Sequence, residues 1–127
     1  MVIFDTDVVI FALRGNRRAA ELIDRDELPV ISVVSYLELA RGARDKAELR
    51  DVGRFLKHVG LHTLPLSENI GFQARIYIEE YGLKSGLGVA DSLIAATAAD
   101  AQLTLCSGNA KHFRTISDLD LRVFRGA

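Results

Sequence analysis

The chain has 127 residues, 49% hydrophobic and 26% charged, with a formal net charge of −1. This is an ordinary globular balance, which excludes a disordered segment, a collagen-like repeat and a coiled coil, and no apolar run approaches the roughly 18 residues of a membrane span. The single cysteine, Cys106, cannot form an internal disulfide, so zinc ribbons and dithiol redox sites are excluded and a cytoplasmic location is expected. We expect one domain over residues 1–127.

Strand and helix patterns alternate from the first residues onward. Residues 1–4 are apolar and stop at Asp5, which is typical of a buried parallel strand. Asp7 is a candidate N-cap for the helix that follows, and Asn16 is a candidate N-cap for a second helix over 17–25. The chain therefore opens with a strand followed by two short helices.

The rest of the chain repeats this alternation. In chain order the predicted elements are a strand over 29–31, a helix capped by Ser32 or Ser35 that ends at Ala43, a helix over 45–59, a strand over 62–66, a helix over 67–81, a glycine-rich loop over 82–88, a helix over 89–101, a strand over 103–106, a turn or short helix over 107–113 and a strand over 121–124. Such an order predicts a three-layer α/β/α sandwich around a central, mainly parallel five-stranded sheet.

Acidic residues in apolar surroundings converge on one edge of this predicted sheet. Asp5 ends the first strand, Glu38 lies in an otherwise apolar helical turn, and Asp91 lies in the first turn of an alanine-rich helix. Ligands of open parallel sheets bind outside the carboxyl ends of the strands. Setting aside these three residues and Asp7 from the 17 acids leaves 13 acids against 16 bases, so the remaining surface is net basic.

Clustered carboxylates repel one another and raise one another's pKa unless something neutralises them. A bound Mg²⁺ or Mn²⁺ removes the problem, because both ions prefer oxygen ligands, and such a site lowers the pKa of a water and holds a phosphate for in-line attack. Ser107 and Asn109 follow the fourth strand and could hold that water. The sequence therefore favours a divalent-cation site at this edge.

Each acid also has a purely structural interpretation. Asp5 could simply end a strand, and Asp7 could be a plain helix N-cap. Glu38 could pair with Arg41 three residues later, and Asp91 could be a first-turn acid favoured by the helix dipole. The joint position of the acids in an α/β order favours the metal site over these alternatives.

Four segments of the chain resemble the four motifs of PIN-domain nucleases, in the family's order. They are residues 2–10 (VIFDTDVVI), 31–42 (ISVVSYLELARG), 89–98 (VADSLIAATA) and 105–113 (LCSGNAKHF). Within that superfamily the pattern is most similar to the VapC toxins of toxin–antitoxin pairs. The resemblance implies a PIN fold and a Mg²⁺- or Mn²⁺-dependent endoribonuclease.

The resemblance also implies roles for individual residues. The implied catalytic set is Asp5, Glu38, Asp91 and Asn109, of which the three acids are the metal ligands. Asn109 stands where the family often has Asp. Asp7 stands where the family often has Asn or Ser and would supply the missing charge, and Ser107 would assist the metal-bound waters.

The macromolecular partners follow from surface charge and from the resemblance. Surplus bases around the site are expected to hold the RNA backbone. The candidates are Arg14, Arg41, Lys84 and Lys111. The resemblance implies a homodimer and a VapB-like antitoxin whose tail covers the acidic site.

Two other functions fit parts of the sequence. A haloacid-dehalogenase-type phosphatase would use Asp5 as nucleophile with Asp7 two residues on, and it would need a later strand that ends in an acidic pair. A catalytically inactive RNA-binding or partner-binding domain would follow from the loss of an acid at Asn109.

Overall fold

The computed structural model describes residues 1–126, which form five strands and seven helices. In chain order they are β1 (Val2–Phe4), α1 (Thr6–Leu13), α2 (Arg17–Arg25), β2 (Val30–Ser32), α3 (Val33–Arg41), α4 (Lys46–Val59), β3 (His62–Leu64), α5 (Glu68–Ser85), α6 (Val89–Ala101), β4 (Thr104–Ser107), α7 (Ala110–Phe113) and β5 (Leu121–Val123).

The strands form one sheet in the order β3-β2-β1-β4-β5, and every described pairing is parallel. Central β1 pairs with β2 through Ile3 and Val30 and with β4 through Ile3 and Leu105. The strand order reverses beside β1, and such a reversal opens a crevice at the carboxyl ends of the strands. The predicted three-layer sandwich with a parallel sheet is confirmed.

Alternate residues of the strands face two different helical layers. Ile3 and Leu105 pack with α5 and α6, whereas Phe4 and Cys106 pack with α1, α2 and α4. This division follows from the two-residue period of a strand. Alanines buried on α6 let this helix lie close to the sheet, which brings its N-terminal turn near the crevice. Cys106 is a free, buried thiol.

The first helix starts earlier than the sequence indicates. Thr6 is already helical, and Asp5 rather than Asp7 is the N-cap, with the Asp5 carboxylate accepting from the Thr6 backbone N–H at 2.8 Å. The prediction that Asp7 caps this helix is therefore wrong. The Asp7 side chain turns away from α1 to accept from the distant Gly108 N–H, a contact that local sequence does not encode.

The predicted glycine-rich loop over 82–88 is largely helical, because α5 continues to Ser85. Gly82 lies within the helix, where glycine costs only about 1 kcal/mol relative to alanine. The helix ends at Gly86, whose φ of 71° is left-handed and favours glycine. Lys84 therefore lies on the last turn of α5 and not in a loop.

The predicted ends of the other helices and strands agree with the observed ends within two residues. The exception is α7, which occupies only the second half of the turn or short helix predicted over 107–113. Helix α6 has the predicted bounds, and Asn16 and Ser32 cap helices as predicted. Ser67 is the N-cap of α5. Within the described part of the chain, no helix combines the length and the apolar character needed to cross a bilayer.

Candidate metal and catalytic centre

Asp5 is the most deeply buried acid of the crevice, with 5% of its surface exposed. Its position directly after β1 places one carboxylate oxygen 2.8 Å from the Thr6 N–H and the other 2.7 Å from the Ser107 hydroxyl at the end of β4. Burial raises the pKa of Asp5 from 3.8 to about 7; the Ser107 and Thr6 hydrogen bonds oppose the shift, and the charges of Asp7 and Asp91 add to it.

Asp7 lies one helical position beyond Thr6 and reaches across to the loop after β4. Its Oδ2 atom accepts from the Gly108 backbone N–H at 3.0 Å, while its Oδ1 atom is buried without a hydrogen-bond partner. Burial raises the pKa of Asp7 despite that hydrogen bond. A Cβ at Gly108 would stand 2.7 Å from Asp7 Oδ2, so any larger residue there would displace the Asp7 carboxylate. The orphaned Oδ1 atom is suited to a cation or a water.

Glu38 reaches the crevice from α3 through a hydroxyl on α1. Thr6 Oγ1 lies 2.6 Å from Glu38 Oε1 and 2.9 Å from the buried Ser35 hydroxyl. Because a hydroxyl has one proton, Thr6 donates to the carboxylate and accepts from Ser35. The expectation that Glu38 is surrounded by apolar residues is wrong: Glu38 is exposed, and the neighbouring Leu37 is 56% exposed.

Asp91 enters the crevice from the first turn of α6, as predicted. Its pKa is raised by burial; the positive charge of His112 opposes the shift, and the negative charges of Glu38 and Asp7 add to it. The His112 ring is held by a contact of 3.2 Å between Nδ1 and the Ser85 carbonyl. The charges of these acids add to the pKa shifts of Asp5 and Asp91, so the acids lie near one another. They are Asp5 after β1, Asp7 on α1, Glu38 on α3 and Asp91 on α6.

None of these acids has an ion-pair partner among residues 1–126. Every salt bridge in that range joins other residues, three or four positions apart in the sequence: Arg25–Glu21, Arg44–Glu48, Arg54–Asp51 and Arg75–Glu79. The proposed pairing of Glu38 with Arg41 is therefore not formed. The crevice carries negative charge that no arginine or lysine neutralises directly.

The chemistry of the donors fits a hard divalent cation. The crevice offers carboxylate and hydroxyl oxygens, an orphaned carboxylate oxygen and uncompensated negative charge. In the described part of the chain, however, no three His, Cys, Asp or Glu side chains converge closely enough to form a ligand set as they stand. Both Asp5 oxygens are engaged by Thr6 and Ser107, and Glu38 is engaged by Thr6, so the acids are held apart.

The structure thus gathers most of the predicted site residues at one sheet edge. Asn109 caps the short α7; its backbone N–H donates to Ser107 Oγ at 2.9 Å, but its side chain makes no capping hydrogen bond. Sequence reasoning missed the supporting roles of Thr6, Ser35 and His112. The position of Thr6 between two acids was the available signal; the other two roles depend on contacts between distant segments.

The four bases predicted to bind RNA are all exposed. Arg14 and Glu38 line one groove of about 680 Å³ between α1, α3 and α4, and Arg41 lines a second hollow that also includes Glu38. Lys84 lies on the last turn of α5, and Lys111 follows Asn109 on α7. Their role in RNA binding stays a prediction.

Comparison with known proteins agrees with the fold. The family model described as the PIN domain matches residues 2–119. The chain therefore belongs to the PIN-domain family, and the resemblance seen in its four motifs is confirmed.

Within this family the chain belongs with the VapC ribonucleases. Ribonuclease VapC10 of Mycobacterium tuberculosis is 36% identical over 123 residues, which span 94% of this chain and 90% of that relative. The fold is shared with VapBC2 of Rickettsia felis, solved bound to a promoter DNA fragment (TM-score 0.80, 23% identity, 98% of this chain and 100% of that chain). It is also shared with VapBC-1 of nontypeable Haemophilus influenzae (TM-score 0.80, 22% identity, 97% and 98%).

Proposed function

We propose that the chain is a Mg²⁺- or Mn²⁺-dependent endoribonuclease, the toxin of a toxin–antitoxin pair, and that a VapB-like antitoxin neutralises it. The observation that carries this proposal is the gathering of Asp5, Asp7, Glu38 and Asp91 at the carboxyl edge of the sheet, with no basic partner within ion-pairing distance in residues 1–126. The similarity to Ribonuclease VapC10 supports RNA as the substrate.

Asp5, Glu38 and Asp91 are the residues that would hold the cation. When bound, the cation supplies charge neutralisation at the scissile phosphate and a water of lowered pKa. Asp7 would add negative charge through its unpartnered oxygen. Asn109, whose backbone N–H donates to Ser107 Oγ, would contact the waters or the phosphate. Because the acids do not yet converge on one point, their side chains must reorient when the ion binds.

The surrounding residues of the chain position this set. The hydroxyl of Ser107 and the Thr6 N–H fix Asp5, and the Gly108 N–H fixes Asp7. The Thr6 hydroxyl directs Glu38 toward the other acids. Three elements of secondary structure and one loop are therefore tied to the crevice by hydrogen bonds.

The partners follow from the relatives. VapBC complexes among the structural neighbours support a VapB-like antitoxin, and we propose a homodimer in the same assembly. A cytoplasmic location is consistent with the single free, buried Cys106.

The comparisons give no support to the two alternatives. A haloacid-dehalogenase-type phosphatase would need an acidic pair at the end of a later strand, whereas β4 ends in Ser107 and is followed by Gly108 and Asn109. The inactive-domain alternative rests on Asn109 alone, while Asp5, Glu38 and Asp91 are all retained.

The test is RNA cleavage by the full chain purified away from its antitoxin. We expect cleavage with Mg²⁺ or Mn²⁺, none with EDTA, and a loss of activity of at least about 100-fold in Asp5→Asn and Asp91→Asn. Asp24→Asn, an exposed acid on α2, is the matched control and should keep full activity. Full activity in both crevice variants, in preparations that carry no contaminating nuclease, would refute the proposal.

A further inference from the structure

An arginine-lined groove runs between α2 and the edge strand β5, outside the acidic crevice. Arg18, Arg25, Arg122 and Arg125 line a hollow of about 380 Å³, and its apolar lining includes Phe124. A second hollow of about 280 Å³ shares Arg25 and Arg122 and extends the groove toward Met1. All four arginine side chains are exposed.

Positive charge predominates in the larger hollow, which four arginines line, whereas Asp26 and Glu27 line the second hollow beside Arg25 and Arg122. Glu21 is the one acid that lines the larger hollow, and its contact with Arg25 is long, at 3.8 Å, between side chains that are each more than half exposed. Such an exposed ion pair contributes little free energy. Among residues 1–126, Arg18, Arg122 and Arg125 have no carboxylate within ion-pairing distance, whereas Arg54 on α4 and Arg75 on α5 each have one.

One end of the groove adjoins the acidic crevice. Arg18 donates to the Arg125 carbonyl at 3.3 Å, and the Phe124 N–H donates to the Ser107 carbonyl at 2.8 Å. The residue after Ser107 is Gly108, whose N–H holds Asp7. The segment that carries Arg125 is thus connected by direct hydrogen bonds to the loop beside the proposed catalytic acids.

The dimensions and the chemistry of the groove suit a nucleic-acid backbone. Arg18 and Arg25 are seven residues apart on α2, which separates them by about 10 Å along the helix axis. That separation exceeds the axial spacing of about 3.4 Å between successive phosphates on one strand of a duplex, so the two guanidinium groups can contact different phosphates. Guanidinium groups bind phosphate oxygens in a bidentate manner, and the apolar lining suits the sugars.

We propose that this groove binds the backbone phosphates of the RNA strand on one side of the cleavage point. The proposal rests on the proposed ribonuclease function, and it adds a contact surface distinct from Arg14, Arg41, Lys84 and Lys111. It predicts that RNA affinity depends on RNA length, because only a strand that extends beyond the crevice reaches Arg25 and Arg122.

The test measures RNA binding without cleavage. Fluorescence anisotropy with labelled oligouridylates of about 12 and about 4 nucleotides, in EDTA, compares the wild type with the double variant Arg25→Gln/Arg122→Gln. We expect the variant to bind the longer RNA about tenfold more weakly, and we expect its slope of log affinity against log salt to be smaller by about 1.4. The loss for the shorter RNA should be much smaller.

The matched control is Arg54→Gln/Arg75→Gln, which removes two exposed arginines that pair with neighbouring carboxylates. Thermal melting checks that both double variants remain folded, and Arg122→Glu provides a second groove variant with a reversed charge. The proposal fails if the groove variants and the control variant bind the longer RNA equally. It also fails if the groove variants lose affinity only for the antitoxin, because that result would assign the groove to an acidic protein partner.

The outcomes also separate this proposal from the nuclease proposal. Groove-dependent RNA binding by a chain that does not cleave RNA would support the groove and refute the nuclease. Metal-dependent cleavage with binding that is independent of the groove would refute the groove and leave the nuclease intact.

Discussion

Replacement of Asp5 by asparagine should stabilise the metal-free protein. Asp5 is 5% exposed, and burial raises the pKa of its carboxyl group from 3.8 to about 7. A shift of about three units corresponds to about 4 kcal/mol at 1.36 kcal/mol per unit. Asparagine has no charge to bury, so Asp5→Asn should raise the free energy of unfolding by up to about 4 kcal/mol above neutral pH.

The sign of the pH dependence follows from the two pKa values. Between about pH 4 and pH 7 the folded state keeps the Asp5 proton while the unfolded state has lost it, so the wild type loses stability as pH rises through this interval. The advantage of Asp5→Asn should therefore be small near pH 4, grow by about 1.36 kcal/mol per pH unit, and level off above about pH 7.

Urea unfolding of both proteins in EDTA, followed by circular dichroism across this pH range, measures the effect. Asp24→Asn, which replaces an exposed acid on α2, should differ little from the wild type at every pH. Added Mn²⁺ should stabilise the wild type and not Asp5→Asn, because binding to the folded state alone raises stability. An advantage independent of pH, or an Asp5→Asn protein less stable than the wild type at about pH 8, would refute the argument.

Three further substitutions test the supporting contacts. Gly108→Ala places a Cβ 2.7 Å from Asp7 Oδ2 and should break the Asp7 hydrogen bond. We expect this change to lower the free energy of unfolding in urea by about 1 kcal/mol and to weaken Mn²⁺ binding measured by calorimetry. An unchanged Mn²⁺ affinity would contradict this expectation. Thr6→Val leaves the buried Ser35 hydroxyl without its partner and should cost about 1–3 kcal/mol, whereas Thr6→Ser should retain most of the stability and cleavage. Gly53→Ala lies in the interior of α4 with no atom within 4 Å of its Cβ, so it should raise the melting temperature through about 0.5–1 kcal/mol of helix propensity.

Local signals in the sequence were enough to predict the order of the elements. Helix α6 has the predicted bounds because its alanine-rich segment is uninterrupted, and Asn16 caps α2 because its side chain accepts from a backbone N–H three residues away. The predicted end of α5 lies four residues before the observed end at Ser85, because an interior glycine is a typical stop signal in a sequence. The tertiary structure tolerates Gly82 in the helix and places the left-handed turn at Gly86.

The details of the crevice could not be predicted in the same way. The hydrogen bond between Asp7 and Gly108 joins residues 101 positions apart, and that between Asp5 and Ser107 joins residues 102 positions apart. Both depend on the register that sets Phe4 beside Cys106 in neighbouring strands. The sequence indicated that acids would meet at this edge, but it could not show which carboxylate is buried and which, like Glu38, remains exposed.

The crevice illustrates why a metal site can cost stability before it binds its ion. Backbone N–H groups and the Ser107 hydroxyl give Asp5 and Asp7 hydrogen bonds, yet the pKa of each remains raised because burial outweighs these bonds. A cation that binds there competes with protons, so its apparent affinity should increase with pH until Asp5 is ionised near pH 7. The buried negative charge that destabilises the metal-free fold is therefore the charge that a bound cation neutralises. A variant that removes this buried charge, such as Asp5→Asn, should gain stability and lose activity together.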